Sequence, residues 1–310
     1  MYNFVYCLDK NFNIQSAVSM YSLLENVDEK INLYVLHNEP NTFEKYSKKL
    51  SKHSKCESIN LIEVVTDINF PNIENTHVSK ATYFRIFIFK YLKDLSHVIY
   101  LDSDTVILEN PLKVLKSELA KLRESQYILS AVEETTKEMS PEIFERLNLS
   151  SKKYFNAGVM VIDLDKAKNK NIFNNLISTV QKLNSRIIQW DQDVLNKYFD
   201  EQIFELAKSL NIRINAELES KVFSLSPTIL HYLGSKKPWQ IEYLVEHPNN
   251  HFQVTYQQFT KSSNYYLTSN WKKNTLVVYL KQMINFKKFI SKKNYKLLRP
   301  VFYLFVKRKD

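Results

Sequence analysis

The chain has 310 residues, and its 44% hydrophobic content is enough to bury the core of one large α/β domain with an appendage. Its two cysteines, Cys7 and Cys56, form neither a CxxC metal motif nor a disulfide framework, which excludes a disulfide-stapled secreted scaffold and predicts a reducing compartment. The net charge of +10 is concentrated in residues 271–310, which carry 12 Lys and Arg against one acid, so the rest is near neutral and we expect no nucleic-acid partner.

Hydrophobic periodicity predicts alternating strands and helices over the first 110 residues. Such alternation is typical of a parallel sheet with helices on its faces. The predicted strands are Tyr2–Leu8, Ile31–Leu36, Ser58–Val65 and His97–Leu101. The predicted helices are Gln15–Asn26, Asn41–His53 and Ser79–Tyr91, with Ser79 as the N-cap of the last.

The second half continues the pattern with shorter elements. We expect strands at Thr105–Leu108, Tyr127–Val132, Ala157–Leu164 and Thr228–Tyr232, and helices at Phe173–Leu183 and Asp191–Phe199. The sum predicts a three-layer α/β catalytic domain over residues 1–258, with its nucleotide-binding half first and a mostly parallel sheet. A basic, helical C-terminal region follows over residues 259–310.

The segment Asp102-Ser103-Asp104 comes directly after the apolar run His97–Leu101, where a parallel sheet presents ligands. Aspartates at i and i+2 in an extended loop point the same way, and they form a hard oxygen site for Mg²⁺ or Mn²⁺ completed by phosphate oxygens. One alternative is a solvated turn. Another is the opening motif of haloacid-dehalogenase-like phosphatases, in which the first Asp is a nucleophile, although that motif normally lies on the first strand.

His231 ends the last predicted strand and is a candidate third ligand, because an imidazole beside two carboxylates favours Mn²⁺. Gly234 and Lys237 follow it, offering a backbone that can approach a phosphate closely and a cation that can neutralise it. The alternative for His231 is a satisfied structural side chain.

Six segments in order resemble glycosyltransferase family eight, in particular its bacterial lipopolysaccharide galactosyl- and glucosyltransferases and the glycogenin-like enzymes. The six segments are Asp9-Lys10-Asn11-Phe12, Ala81-Thr82-Tyr83-Phe84-Arg85, Val98-Ile99-Tyr100-Leu101-Asp102-Ser103-Asp104, Tyr154-Phe155-Asn156-Ala157-Gly158-Val159, Trp190-Asp191-Gln192-Asp193 and His231-Tyr232-Leu233-Gly234-Ser235-Lys236-Lys237-Pro238-Trp239.

The resemblance implies a GT-A fold, a UDP-sugar donor and retention of anomeric configuration. It implies that Asp102, Asp104 and His231 bind Mn²⁺, with Mg²⁺ as an alternative, and that Ser103 lies against the donor. It also implies which residues contact each part of the UDP-sugar. The uridine would lie along Asp9 and Asn11, and the diphosphate would contact Gly234 and Lys237. The sugar would lie among Arg85, Asn156, Asp191 and Gln192. Glu133 and Glu134 are further candidates for the sugar pocket.

Some of these residues have structural alternatives. Arg85 could pair with a carboxylate at the sheet end, Asn156 could be a turn residue, and Asp191 and Asp193 could cap a helix. Gln192 is a poor nucleophile, so we expect front-face attack by the acceptor hydroxyl, with Gln192 and Asp191 stabilising an oxocarbenium-like transition state, rather than a double displacement.

The basic C-terminal region combines an apolar stripe over residues 275–290 with lysines and a second aromatic stretch, which predicts binding to an anionic membrane leaflet. Packing on the catalytic domain or binding RNA are alternatives. The chain shows no signal-peptide pattern, so we expect a cytoplasmic enzyme, peripherally attached to the inner face of the membrane, that transfers galactose or glucose to a surface glycolipid. A catalytically silent sugar-nucleotide-binding protein is the remaining alternative.

Overall fold

The computed structural model of the chain describes residues 1–71, 80–135, 142–263 and 266. Over this range the chain divides into two compact units. The first comprises Met1–Arg213 and Phe223–His231, and the second comprises Ile214–Val222 and the residues from Tyr232 onward. No helix in the described part of the chain is both long and apolar enough to cross a lipid bilayer.

A seven-stranded sheet forms the centre of the first unit, and its neighbouring strands follow the order Cys56–Glu63, Ile31–His37, Tyr2–Leu8, His97–Leu101, Phe155–Asp163, Leu129–Glu133 and Ile203–Glu205. The central strands are apolar runs buried on both faces, as expected where helices cover a mostly parallel sheet, whereas the edge strands Cys56–Glu63 and Ile203–Glu205 are only partly buried. In chain order the seven strands are β1 Tyr2–Leu8, β2 Ile31–His37, β3 Cys56–Glu63, β4 His97–Leu101, β6 Leu129–Glu133, β7 Phe155–Asp163 and β8 Ile203–Glu205. The predicted α/β class and mostly parallel sheet are confirmed.

The strand β7 is antiparallel to both of its neighbours, β4 and β6. Its amino end therefore lies beside the carboxyl ends of those strands, where Leu101 pairs with Val159 and Val132 with Asn156. Because β7 begins at Phe155, Asn156 lies inside the strand, so the predicted start at Ala157 and the turn interpretation of Asn156 are wrong. The reversal brings Asn156 to the edge of the sheet that also carries Asp102.

Helices pack against this sheet. A second, three-stranded sheet has Ile229–Tyr232 as its central strand, between Thr105–Ile107 and Ile212–Ile214. Its strands are β5 Thr105–Ile107, β9 Ile212–Ile214 and β10 Ile229–Tyr232. The α-helices of the first unit are α1 Asn13–Asn26, α2 Glu44–Leu50, α3 Ile88–Tyr91, α4 Leu112–Glu124, α5 Ile143–Leu147, α6 Leu164–Ala167, α7 Ile172–Leu183 and α8 Trp190–Tyr198.

Several predicted elements differ from those observed. The segment expected to be one helix over Ser79–Tyr91 is a 3-10 helix over Lys80–Phe87 that continues as α3, because apolar spacings of three and four residues do not distinguish the two windings. The predicted cap, Ser79, lies outside the described residues. The strands β8 and β9 were not predicted, since each has only three residues. The helix α4 was also not predicted, although Pro111 at its N-cap and Asn110, which accepts the Leu112 amide hydrogen at 3.0 Å, are a usable start signal.

The second unit contains α9 Ile241–Glu246 and α10 His251–Thr260. Asn250 caps α10 by accepting a hydrogen bond from the Gln253 amide at 3.0 Å, and Trp239 packs against Phe252. The Tyr243 hydroxyl donates to Glu219 at 2.5 Å, which ties the segment Ile214–Val222 to α9. The predicted boundary between residues 258 and 259 lies within α10 and stays a prediction, and the basic residues 271–310 lie outside the described part of the chain.

Candidate active site

The loop Asp102-Ser103-Asp104 leaves β4 in a tight turn. The Asp102 amide donates to Gly158 O at 2.8 Å, and the Thr105 amide donates back to Asp102 O at 3.2 Å. The Tyr100 hydroxyl donates to the Asp102 carboxylate from within the same strand. The backbone of Asp102 and one of its carboxylate oxygens are therefore fixed by neighbouring strand residues.

Three buried serines on one face of α1 hold the rest of this loop. Ser16 Oγ lies 2.6 Å from Ser103 Oγ, and Ser19 Oγ lies 2.8 Å from Thr105 Oγ1. One turn further on, Ser22 Oγ accepts the Ile107 amide hydrogen at 3.0 Å. This contact was not predicted, although the spacing of three residues between serines in a largely apolar helix was a usable signal.

His231 faces both aspartates. Its Nε2 lies 3.6 Å from Asp102 Oδ2 and 3.3 Å from Asp104 Oδ1. One ligand atom from each of the three residues lies within 4.8 Å of the others. The imidazole is 3% exposed, and its other nitrogen, Nδ1, lies 3.0 Å from Asn211 Oδ1. Two carboxylates and an imidazole nitrogen converging on one point form a donor set suited to a divalent cation.

Gly158 lies directly against this group. A Cβ at this position would lie 2.2 Å from His231 Cε1 and 2.9 Å from Asp102 Oδ2, so only glycine fits between these two side chains. The chain has two glycines in all. Gly158 itself lies in β7 and does not have a positive φ, whereas asparagine occupies several positions that do, namely Asn148, Asn169, Asn171 and Asn184. The close packing around Gly158 and the donor set together fit a metal site.

Arg85 joins this site to α8. Its Nε lies 2.6 Å from Asp191 Oδ2, and its Nη1 donates to Ala157 O at 2.9 Å and lies 3.7 Å from Asp102 Oδ1. Thr82 Oγ1 donates to Asp191 at 2.6 Å. Arg85 therefore bridges two carboxylates, one from the predicted metal site and one from the predicted sugar pocket.

Burial and ion pairing act in opposite directions on the two partners of this bridge. Burial opposes the charge on Arg85, but the carboxylates of Asp102 and Asp191 outweigh burial and raise the pKa of Arg85 above its ordinary value. Burial raises the pKa of Asp191 to about 6, and Arg85 and Thr82 oppose that rise. At neutral pH the two therefore form an ion pair with no exposure of Asp191 to solvent.

Gln192 and Asp193, which follow Asp191 in α8, make different contacts. Gln192 Oε1 accepts the Ala157 amide hydrogen at 2.9 Å, which places the side chain beside β7. Asp193 is fully buried and accepts from Arg146 and Tyr154 at 2.7 Å and from the amides of Ile188 and Gln189 at 2.8 Å. Gln192 thus lies on the side of the predicted sugar pocket, whereas Asp193 organises the start of the helix.

The two glutamates at the carboxyl end of β6 contact different partners, Glu133 being its last residue and Glu134 following directly. Glu134 is buried and accepts from Asn156 Nδ2 at 2.8 Å, and its other oxygen lies 3.6 Å from Arg213 Nε. Glu133 lies 3.3 Å from the ammonium group of Lys153 on the surface. The structure therefore places Glu134, and not Glu133, against Asn156.

Comparison with known proteins identifies the sequence family. The profile described as "Glycosyl transferase family 8" matches residues 3–242, which is well over half of the chain. The chain belongs to glycosyltransferase family 8. Asp102, Asp104 and His231, with Gly158 between them, lie within the matched region, and the phosphatase interpretation of the aspartates is therefore wrong.

Curated relatives of this family 8 chain come from several bacteria. It is 28% identical over 278 residues to General stress protein A of Bacillus subtilis, covering 83% of this chain and 93% of that protein. It is 30% identical over 249 residues to a putative glycosyltransferase of Haemophilus influenzae, covering 76% and 72%. It is 27% identical over 255 residues to a lipopolysaccharide 1,2-glucosyltransferase of Escherichia coli K12, covering 76% and 72%.

A solved structure shows the same fold. The galactosyltransferase LgtC, determined in complex with donor and acceptor sugar analogues, matches with a TM-score of 0.68 at 19% identity, covering 87% of this chain and 98% of that one. The likeness confirms the GT-A fold that the resemblance implied for this family 8 chain.

The remaining predicted donor contacts of the family 8 chain lie on loops. Asp9 follows β1 and caps a short 3-10 helix by accepting the Asn11 amide hydrogen at 2.8 Å, and the Asn11 side chain is exposed. Gly234 and Lys237 belong to the second compact unit. Gly234 has φ of 79°, a conformation that favours glycine, and Lys237 Nζ donates to Tyr232 O at 2.6 Å. Their contacts with a diphosphate stay a prediction.

Proposed function

We propose that the chain is a retaining, metal-dependent hexosyltransferase that moves galactose or glucose from a UDP-sugar to lipopolysaccharide, lipooligosaccharide or another surface glycan. The observation that carries the proposal is the convergence of Asp102, Asp104 and His231 on one point in a family 8 glycosyltransferase. A ligand set with one imidazole favours Mn²⁺ over Mg²⁺. When bound, the ion supplies Lewis-acid neutralisation of the negative charge that gathers on the departing diphosphate.

The side chains around Arg85 would position the donor sugar. Arg85 holds Asp191 at 2.6 Å and reaches Ala157 O, so both groups are fixed before substrate arrives. Gln192 and Asn156 present amides beside them, which suit hydroxyl groups of a hexose. Glu134, bonded to Asn156, would hold that amide in one orientation.

We infer front-face substitution with retention. The bond from the anomeric carbon to the diphosphate oxygen breaks, UDP leaves with the bonding electrons, the acceptor oxygen bonds to the same face, and its proton passes to the departing phosphate oxygen. The alternative, a covalent glycosyl-enzyme, needs a carboxylate nucleophile. Asp191 is neutralised by Arg85 and Asp193 is occupied by four donors, which argues against both. Detection by mass spectrometry of a hexose bound to Asp191 or Asp193 would overturn this mechanism.

A donor panel tests the reaction. The purified chain is incubated with UDP-galactose, UDP-glucose and UDP-N-acetylglucosamine, with Mn²⁺ or with EDTA, and UDP release is measured. We expect slow hydrolysis of one UDP-hexose that requires the metal. Binding of a UDP-sugar without any turnover, also in the presence of cell-envelope glycolipid, would instead identify a catalytically silent binding protein.

The acceptor and location are part of the same proposal. One relative is a lipopolysaccharide glucosyltransferase, and the 12 basic residues of positions 271–310 suit an anionic inner leaflet, which would bring a cytoplasmic enzyme to a lipid-linked acceptor. A chain truncated after residue 270 should lose binding to vesicles that contain anionic lipid. Equal binding of the truncated and full chains would contradict membrane attachment through this region.

A further inference from the structure

A chain of hydrogen bonds runs from the metal-site histidine to the residues predicted around the sugar. His231 Nδ1 contacts Asn211 Oδ1 at 3.0 Å, and Asn211 Nδ2 contacts Asn156 Oδ1 at 2.9 Å. Asn156 Nδ2 then contacts Glu134 Oε1 at 2.8 Å. His231, Asn211, Asn156 and Glu134 are each less than 9% exposed, so water has little access to these groups.

Two fixed groups determine the direction of every bond in this chain. The Gly158 backbone N–H is always a donor and lies 3.0 Å from one side-chain atom of Asn156, which must therefore be the oxygen. The carboxylate of Glu134 is an acceptor and requires the amino group on the other side of Asn156. The Gly158 amide and the Glu134 carboxylate therefore require the same orientation of the Asn156 side chain, whichever way its oxygen and nitrogen are assigned at the outset.

The orientation of Asn156 fixes Asn211, and Asn211 fixes the histidine. Because Asn156 presents oxygen, Asn211 must present its amino group there and its oxygen towards His231. An oxygen acceptor requires a hydrogen on Nδ1 of the neutral imidazole. The lone pair is then on Nε2, the nitrogen that lies 3.3 Å from Asp104 and 3.6 Å from Asp102.

We propose that Asn211 is a positioning residue that holds His231 as the Nδ1–H tautomer, aims Nε2 at the metal, and links the metal ligand to Asn156. The inference rests on the proposed function in taking Asp102, Asp104 and His231 as the metal ligands. Metal-bound histidines commonly donate their second nitrogen to an oxygen acceptor, and loss of that acceptor weakens metal binding. Asn211 lies at the end of a short 3-10 helix, and nothing in its sequence neighbourhood marks it.

Metal affinity measured without any nucleotide tests this role. Mn²⁺ binding to the full-length protein is followed by electron paramagnetic resonance and calorimetry for the wild type, Asn211→Leu and Asn211→Asp. Leucine is close to asparagine in shape and removes both hydrogen bonds, so we expect Mn²⁺ affinity to fall roughly 10- to 100-fold. Aspartate keeps the acceptor for Nδ1–H, so we expect affinity to return to within about threefold of the wild type.

The same Asp variant separates the two halves of the proposal. Aspartate offers no hydrogen to Asn156 Oδ1, so it should keep Mn²⁺ affinity but raise KM for the sugar donor. The matched control is Asn3→Leu, which removes a buried asparagine that bonds His97 O and Asn32 at the amino end of β1. We expect this control to change thermal stability without changing Mn²⁺ affinity.

Histidine tautomers give a second, independent measurement on the unmodified protein. Long-range ¹H–¹⁵N correlations assign the tautomer of His231 by comparison with His231→Asn. An Nε2–H tautomer, or Mn²⁺ affinity of folded Asn211→Leu within about twofold of the wild type, would overturn the role of Asn211. If the wild type binds no Mn²⁺, the proposed metal-dependent function fails, and the tautomer alone decides what Asn211 does.

Discussion

Substitution of Gly158 by alanine should damage the metal site far more than the fold. The added Cβ would lie 2.2 Å from His231 Cε1 and 2.7 Å from His231 Nδ1. Carbon atoms in contact normally lie about 3.5–4.0 Å apart, so the ring or the strand must move by more than about 1 Å. The ring is buried and bonded to Asn211, so it has no alternative position at low cost.

Gly158→Ala should weaken metal binding, because metal coordination tolerates only small changes in the distance between the ion and its ligand atoms. Metal–ligand distances vary by only about 0.2 Å, so a shift of about 1 Å removes His231 from the ligand set. Loss of a histidine's hydrogen-bond partner alone costs roughly 10- to 100-fold in affinity, and we expect loss of the ligand itself to exceed that range. Overpacking should lower the free energy of unfolding by about 1–3 kcal/mol.

Calorimetric titration with Mn²⁺ and urea denaturation measure the two effects on the same protein. Gly234→Ala is the matched control for Mn²⁺ affinity only, because no atom lies within 4 Å of its added Cβ, while its φ of 79° strains an alanine and should lower the free energy of unfolding as well. That variant should bind Mn²⁺ alone as the wild type does. Gly158→Ala that binds Mn²⁺ within about twofold of the wild type would refute the assignment of these three residues as ligands.

Three further predictions concern stability, each measured by urea denaturation. Ser22→Ala leaves the buried Ile107 amide without its acceptor and should cost about 1–3 kcal/mol, whereas Ser117→Ala on the exposed face of α4 should stay within about 0.5 kcal/mol; equal losses would contradict the holding role of α1. Asp193→Asn should cost about 3 kcal/mol by leaving Arg146 without its anionic partner, while Asp165→Asn on the surface should change little; a small loss at Asp193 would contradict its structural role. Burial, aided by Arg123, lowers the pKa of His97 to about 4, so the unfolded chain binds more protons between about pH 6.5 and pH 4, and stability falls as the pH drops through that window. From pH 7 to pH 5 this group should remove about 2 kcal/mol in the wild type, and His97→Gln should lose that part of the slope; identical slopes would contradict it.

The hydrophobic pattern along the sequence was sufficient to predict elements whose own residues mark both their type and their ends. The strands Tyr2–Leu8 and His97–Leu101 match their predicted bounds, because continuous apolar runs ended by polar residues leave little freedom. The helix Phe173–Leu183 is observed one residue longer, since its apolar face and its polar C-terminal neighbours define it.

Non-local pairing was the information that the sequence lacked. The direction of β7 depends on its partners β4 and β6, and this direction decides that Asn156 lies at the site edge inside a strand. Asn211 contacts His231 from 20 residues away through a short 3-10 helix without a sequence signature. The position of the two aspartates at the sheet edge was predictable, because Asp102 and Asp104 are two residues apart and follow a buried strand.

The site residues differ in how far the structure bears on their predicted roles. It brings together Asp102, Asp104 and His231, and it connects Arg85 with Asp191. It gives Ser103 a contact with α1 that helps to hold the loop. The roles of Gln192 and Asp191 in catalysis, and of Asp9, Asn11, Gly234 and Lys237 in donor binding, stay predictions that the donor panel and substitutions can address.

The most direct test of metal-dependent transfer compares the wild type with Asp102→Asn and Asp104→Asn. UDP release from the preferred UDP-hexose is measured at saturating Mn²⁺, with circular dichroism to verify the fold. Each amide removes a charged ligand while keeping the shape, so we expect UDP release to fall at least roughly 100-fold, with the fold intact. Near wild-type release by both folded variants would contradict the account.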